Sequence, residues 1–280
     1  MEWNLERTIT LRHSGDEINV EQGCPFDAPS AQELTRARQD FIRDFLAEIR
    51  MQATLQSALD VGCGVGYLSK FLSDLGFAVV ATDGREENVI EAQKRYPGIT
   101  FLTADAERLV NEVEPRDLVL CAGLLYHLEN PFRVIRNLQA LTRKVLIVEG
   151  MCTPGPGATM ELLDEGTSTD QGLNFVAFYP TEECLVKMLY RSGFPFVYFF
   201  QRLPEHSLYR KSIRRRRERT ILVASKLSLT ARSLTLAQET VRPAAGISDP
   251  WSTSLMRARY FIGGLRRSLL KMFKSSSPKV

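Results

Sequence analysis

A short apolar strand, Leu59-Asp60-Val61, runs directly into the glycine-rich stretch Gly62-Cys63-Gly64-Val65-Gly66. Glycine has no Cβ and tolerates positive φ, so such a turn lets backbone approach a ligand at the carboxyl end of a strand. The segments that follow restrict the fold further. A helix is predicted from Tyr67 to Leu75, ended by Gly76, then a strand from Phe77 to Thr82 and a helix from Glu87 to Arg95, stopped before Pro97. Strands are expected at Ile99 to Thr103, Leu118 to Ala122 and Val145 to Val148, with a helix over 132–142. Strands this continuously apolar are covered on both faces, which means a parallel sheet between helix layers.

The alternation breaks over 151–178. Pro154-Gly155-Pro156-Gly157 and the polar run from Glu165 to Gln171 predict a long loop or lid. A helix from Thr181 to Arg191 follows, with Thr181 as its cap, then strands from Phe196 to Phe200 and from Thr220 to Ala224. Upstream, a strand is read at Thr8 to Leu11 and a loop over 23–29. A helix over 31–52 is capped by Ser30 and carries its apolar stripe on Leu34, Ala37, Phe41, Phe45 and Ile49.

Composition narrows the functional classes. Five widely spaced cysteines without a CxxC pair argue for reduced thiols in the cytoplasm, against a disulfide framework. Three scattered histidines suggest no metal centre. The N-terminus does not read as a signal peptide, and no apolar run reaches membrane-spanning length. Net charge is +3 and uneven: residues 227–280 hold nine Lys/Arg against Glu239 and Asp249, leaving the other 226 residues at −4.

Two details of the glycine turn separate it from a dinucleotide site. Its spacing is GxGxG, and Asp60 precedes the first glycine by two positions. A carboxylate there would repel a pyrophosphate but favour an ammonium and a sulfonium. An NAD-dependent oxidoreductase is therefore the rival that these features disfavour. Asp83 ends the second strand, where a carboxylate can accept from both ribose hydroxyls. Asp105, in Thr103-Ala104-Asp105-Ala106, can accept from an adenine amino group. The fourth strand opens at Gly123 toward Tyr126-His127-Leu128.

In this order and spacing, the four elements resemble the class I S-adenosylmethionine-dependent methyltransferases, over roughly 57–226. The resemblance implies a Rossmann-like, seven-stranded, mostly parallel α/β sheet with a final antiparallel strand. It implies the methionine part of S-adenosylmethionine at Gly62, Cys63, Gly64 and Gly66, with Asp60 shaping the loop and favouring the ammonium. Ribose would lie at Asp83 and Gly84, adenine at Asp105 and Ala106, and the cofactor's end near Gly123. The stretch Leu125 to Pro131 is similar to a subgroup with small-molecule and tRNA wobble-uridine methyltransferases. His127 is a candidate general base and Tyr126 a substrate wall or second candidate, although methyl transfer can proceed by alignment alone.

The resulting division is 1–56 as an N-terminal segment and helix, 57–226 as the cofactor-binding domain, and 227–280 as a linker with a basic amphipathic helix over 255–274. Arg214, Arg215, Arg216 and Arg217 fit either a solvated hairpin tip or an RNA contact, and 255–274 fits packing or an anionic membrane surface. The expected reaction is methylation of an O or N nucleophile on a small metabolite or biosynthetic intermediate. The alternatives are a tRNA-modifying enzyme and a non-catalytic cofactor-binding or partner module.

Overall fold

The computed structural model describes residues 24–166, 168–210 and 218–239. The strand expected at Thr8 to Leu11, the arginines 214–217 and the basic segment 255–274 lie outside the described residues.

An eight-stranded sheet forms the centre. Its strands are β1 (Ser57–Val61), β2 (Ala78–Asp83), β3 (Thr100–Thr103), β4 (Arg116–Ala122), β5 (Thr142–Cys152), β8 (Phe196–Phe200), β9 (Glu218–Ser225) and β10 (Leu234–Leu236). Their spatial order is β10-β8-β9-β5-β4-β1-β2-β3. β1 to β5 are parallel, whereas β9 runs antiparallel to both β5 and β8. The chain builds outward from β1 to β3 and then returns to β4 beside β1. That reversal opens a crevice at the carboxyl ends of β1 and β4, where ligands bind in open α/β sheets.

The seven expected strands gain an eighth, because β10 pairs antiparallel with β8 at the edge. Part of the expected linker therefore belongs to the sheet. The expected loop over 151–178 is instead largely a separate hairpin of β6 (Met160–Asp164) and β7 (Val176–Pro180). Its exposed apolar residues, Met160 and Leu162, flank Glu161, and Asp164 and Glu165 follow at once, which masks the strand pattern in the sequence.

The period of two in the strands sends alternate residues into two cores. Val119 and Cys121 of β4 pack on one face with Val134, Ile135 and Leu138 of α4 (Pro131–Leu141) and Leu185 and Leu189 of α5 (Glu182–Arg191). Leu118 and Leu120 pack on the other face with Leu68 and Phe71 of α2 (Tyr67–Asp74) and Ile42, Phe45 and Ile49 of α1 (Pro29–Ile49). Each such side chain contributes about 1.5–3 kcal/mol by burial. α3 (Glu86–Arg95) covers the sheet near β2 and β3.

α1 departs from expectation at both its start and its face. Pro29 takes the first helical position and Ala28 precedes it, so Ser30 lies inside the helix and caps nothing. The buried residues are Arg38, Ile42, Phe45, Leu46 and Ile49, a stripe rotated from the expected one so that it includes Arg38. Thr181 does cap α5: its hydroxyl accepts from Cys184 N at 3.2 Å. Among the described residues, no helix is long and apolar enough to cross a membrane.

Candidate active site

A cavity of about 380 Å³ opens at the crevice between β1 and β4. Its volume is within the usual range for small-ligand sites. The turn after β1 forms one wall. Gly62 N and Cys63 N both donate to Thr82 O, at 2.8 and 2.9 Å, which ties the turn to β2. Gly62, Gly64 and Gly66 have φ of +76°, +53° and +88°, a region that side chains disfavour. The turn is also crowded. A Cβ on Gly62 would lie 2.7 Å from Leu124 Cβ, and one on Gly64 would lie 2.8 Å from the Phe26 ring.

Phe26 covers the turn from a segment read as a loop in the sequence. It is held there by Asp27, whose carboxylate takes two hydrogen bonds from Arg95, both at 2.8 Å, and one from Tyr67 Oη at 2.5 Å. The Arg95 and Tyr67 hydrogen bonds lower the Asp27 pKa to about 2.

Gly62, Gly64, Asp83, Gly84, Asp105, Ala106, Gly123 and His127 all line the cavity. Four other candidates do not: Asp60, Cys63, Gly66 and Tyr126 lie outside its lining. Asp60 is 2% exposed and accepts from Ser69 Oγ at 2.6 Å, so it anchors the turn to α2 from behind. Burial raises its pKa to about 7, against the Ser69 hydrogen bond and with the added charge of Asp83. Its part is thus to shape the turn, and any effect on a ligand's charge acts through space. The Cys63 thiol faces inward beside Ala81 and Phe101, and burial pushes its pKa up. Gly66 provides the left-handed residue before α2, and a Cβ there would meet the Phe101 ring at 2.9 Å.

Asp83 is already well occupied. Its Oδ2 accepts from Gly64 N at 2.8 Å, and its Oδ1 accepts from Arg85 N at 3.0 Å and Asn88 Nδ2 at 3.1 Å. A carboxylate offers about four acceptor positions. Three of these are taken within the protein and one is left on the cavity side. Asp105 is more open: its Oδ1 accepts from Glu107 N at 2.9 Å, and its side chain is 45% exposed.

His127 ends the short 3-10 helix Leu125–His127 that follows β4, and it is 8% exposed. Its Nδ1 lies 2.6 and 2.8 Å from the two carboxylate oxygens of Glu165, just past β6. The hairpin tip, residues 169–174, completes the cavity. Arg85 donates to Gln171 O and Gly172 O, and Asn88 Nδ2 donates to Thr169 O at 3.2 Å. Glu165, Arg85, Asn88 and the tip were not anticipated as site residues. The polar run from Glu165 to Gln171 is a trace of Glu165 and the tip, and none marks Arg85 or Asn88.

Tyr126 points away from the cavity into a buried ionic cluster. Glu149 of β5, fully buried, meets Arg38 Nη2 at 2.7 Å and Arg219 Nε at 3.2 Å. Tyr209 Oη donates to Glu149 at 2.7 Å, and Arg219 Nη2 donates to Tyr126 Oη at 2.9 Å. Burial opposes ionisation of Glu149, but Arg219 and Arg38 outweigh it and hold the pKa below the usual glutamate range. The cluster locks α1, β5, β9 and the end of β4 together, and Tyr126 serves as part of it.

Residues 59–147 match the methyltransferase domain family. Over these residues the chain is similar to methyltransferase domains. Two relatives of this domain are the ubiquinone biosynthesis O-methyltransferases of Coxiella burnetii and Caulobacter vibrioides. The first is 34% identical over 105 residues, 35% of this chain and 44% of the relative. The second is 36% identical over 90 residues, 30% of this chain and 36% of the relative. The chain thus spans under half the length of the curated relatives it matches. Among solved structures, the N-terminal domain of EvdMO1, crystallised with bound S-adenosylhomocysteine, is 20% identical with a TM-score of 0.57, covering 67% of this chain and 80% of that one. That likeness is one of fold.

Proposed function

We propose that this protein transfers the methyl group of S-adenosylmethionine to a hydroxyl oxygen of a small organic acceptor. The observation that carries the proposal is the single cavity lined in turn by the glycine turn, Asp83, Asp105 and His127. The residues fit the cofactor. Gly62 and Gly64 keep backbone at the cavity wall, where a Cβ would collide with Leu124 or Phe26. One acceptor position of Asp83 serves a ribose hydroxyl, and Asp105 serves the adenine amino group. Five acids line the wall, Asp83, Asp105, Glu107, Glu129 and Asp170, against Arg85, Arg108 and Arg133, a balance that suits a ligand with positive charge better than one with a pyrophosphate.

The bound cofactor supplies a methyl group already activated on a sulfonium. The chain's own part is to align the acceptor, exclude water and receive the proton that the acceptor hydroxyl loses. His127 is the group at the cavity wall suited to that proton. The O-methyltransferase activity in the names of both relatives supports oxygen over nitrogen as the acceptor atom. Neither relative is named for action on RNA, and a small acceptor suits the cavity volume. The free thiols of all five cysteines fit a reducing compartment such as the cytoplasm.

Calorimetric titration with S-adenosylhomocysteine and with NAD tests the cofactor. We expect binding of the first and none of the second, and the converse would refute the proposal. Gly64→Arg drives a side chain into Phe26 and the cavity, so affinity should fall at least about 100-fold, roughly 3 kcal/mol. A methyl-labelled cofactor assay against fractionated small molecules and bulk tRNA tests the acceptor. Label confined to tRNA would overturn the small-molecule assignment.

A further inference from the structure

The pairing of Glu165 with His127 is built rather than incidental. The Glu165 side chain is 5% exposed and that of His127 is 9% exposed, so neither exchanges its partner freely for water. Both carboxylate oxygens face Nδ1, at 2.6 and 2.8 Å, and Oε2 also accepts from Gly172 N at 3.0 Å. Gly172 is fitted to this place. A Cβ on it would lie 2.5 Å from His127 O, 3.0 Å from Glu165 Oε2 and 3.2 Å from His127 Cβ. Only glycine lets the hairpin tip pass so close to the histidine.

The tip is held from the opposite side as well. Asn88 Nδ2 donates both to Asp83 Oδ1 and to Thr169 O, and Arg85 Nη2 donates to Gly172 O at 3.1 Å. A continuous run of contacts therefore joins the acid at the end of β2 to the histidine after β4, through the tip and Glu165.

We infer that Glu165 is the positioning residue for His127, fixing the imidazole with its proton on Nδ1 and leaving Nε2 free to accept a proton. An ionised carboxylate can only accept hydrogen bonds, so the Nδ1 that faces it must carry the hydrogen. Whenever the ring is neutral, Nε2 then holds the lone pair. The orienting carboxylate also stabilises the imidazolium that forms on proton uptake, as in other base–orienter pairs. The Tyr126 ring lies beside the imidazole, with centroids 4.0 Å apart, and the cavity that His127 lines is also lined by acids and by Arg85, Arg108 and Arg133. The catalytic meaning of this arrangement rests on the methyltransferase proposal above, but the tautomer itself does not.

The full chain has three histidines, so nitrogen-15 spectra of the imidazoles can be read individually, with a His127→Gln sample assigning the signal. In the wild type we expect neutral His127 to carry its proton on Nδ1. Glu165→Ala should move it toward the Nε2–H form that free histidine prefers. Glu165→Gln should keep the Nδ1–H form, since an amide oxygen still accepts there. S-adenosylhomocysteine affinity of Glu165→Ala should stay within roughly threefold of wild type, because Arg85 and Asn88 still hold the tip. An Nε2–H wild type, or a tautomer unchanged in Glu165→Ala, would overturn the inference. So would loss of cofactor affinity without a tautomer change, which marks Glu165 as a hairpin tie only. If Glu165→Ala does not fold, the wild-type and Glu165→Gln spectra still decide. Failure of the wild type to bind S-adenosylhomocysteine would count against the methyltransferase proposal alone.

Discussion

The turn region around Asp60 and the cluster around Glu149 both bury a carboxylate almost completely, and they treat its charge in opposite ways. Asp60 has one neutral partner, Ser69, and another carboxylate, Asp83, nearby, so burial wins and the pKa rises to about 7. Glu149 has two guanidiniums and a tyrosine hydroxyl, which overcome the same burial cost and keep it ionised. Desolvation penalises both charges, and the difference lies in the partners. The turn sits beside a cavity and offers no cation to balance Asp60, so its negative charge is penalised there. The cluster sits between helix and sheet, where two cations share one anion and hold three distant parts of the chain together.

The largest expected effect is on the cluster. Glu149→Ala leaves Arg38 and Arg219 buried without their anion, so stability should fall by about 3–5 kcal/mol in urea denaturation. The contrast between the two regions would fail if the variant matched the wild type. The pH dependence has a definite sign. A lowered folded-state pKa means that Glu149 contributes its full stability above the ordinary glutamate value, and this is lost as pH falls through the lower folded value.

Asp60 should show the reverse. Its folded-state pKa is raised from 3.8 to about 7, so ionisation is penalised in the fold. As pH rises from about 4 to 7, this group should lower stability by up to about 4 kcal/mol. Asp60→Asn removes that slope. Urea midpoints of variant and wild type should agree near pH 4 and diverge in favour of the variant by pH 8. Parallel curves would show that Asp60 is not penalised by burial. The smallest effect sharpens the comparison with a neutral case. Thr181 is 2% exposed, accepts from Cys184 N and donates to Gly157 O at 2.6 Å. Thr181→Ala should cost about 1–2 kcal/mol by thermal or urea denaturation, well below Glu149→Ala.

The same contrast separates what was legible in the chain from what was not. The turn region is local. Asp60, Gly62, Gly64 and Asp83 lie within 24 residues, and strand periodicity and glycine spacing are enough to mark them. The cap at Thr181 is equally local, and it forms as expected. The cluster draws on Arg38, Glu149 and Arg219, which no short-range pattern links. Arg38 stands beside an apolar helical stripe and reads as a solvated cation until the helix is rotated against the sheet. The His127–Glu165 pair spans 38 residues and depends on a hairpin that the sequence presents as a polar loop.

By itself the sequence determined the alternation of strands and helices, the parallel sheet, and the turn with its following acids. Each of these follows from side-chain period or backbone freedom within a few residues. Only the tertiary structure decided which acids face the cavity, that Asp83 keeps one open acceptor position, and that Glu165 meets His127. Those outcomes depend on which groups lose water and which partner they find on losing it, and the packing of distant segments sets both.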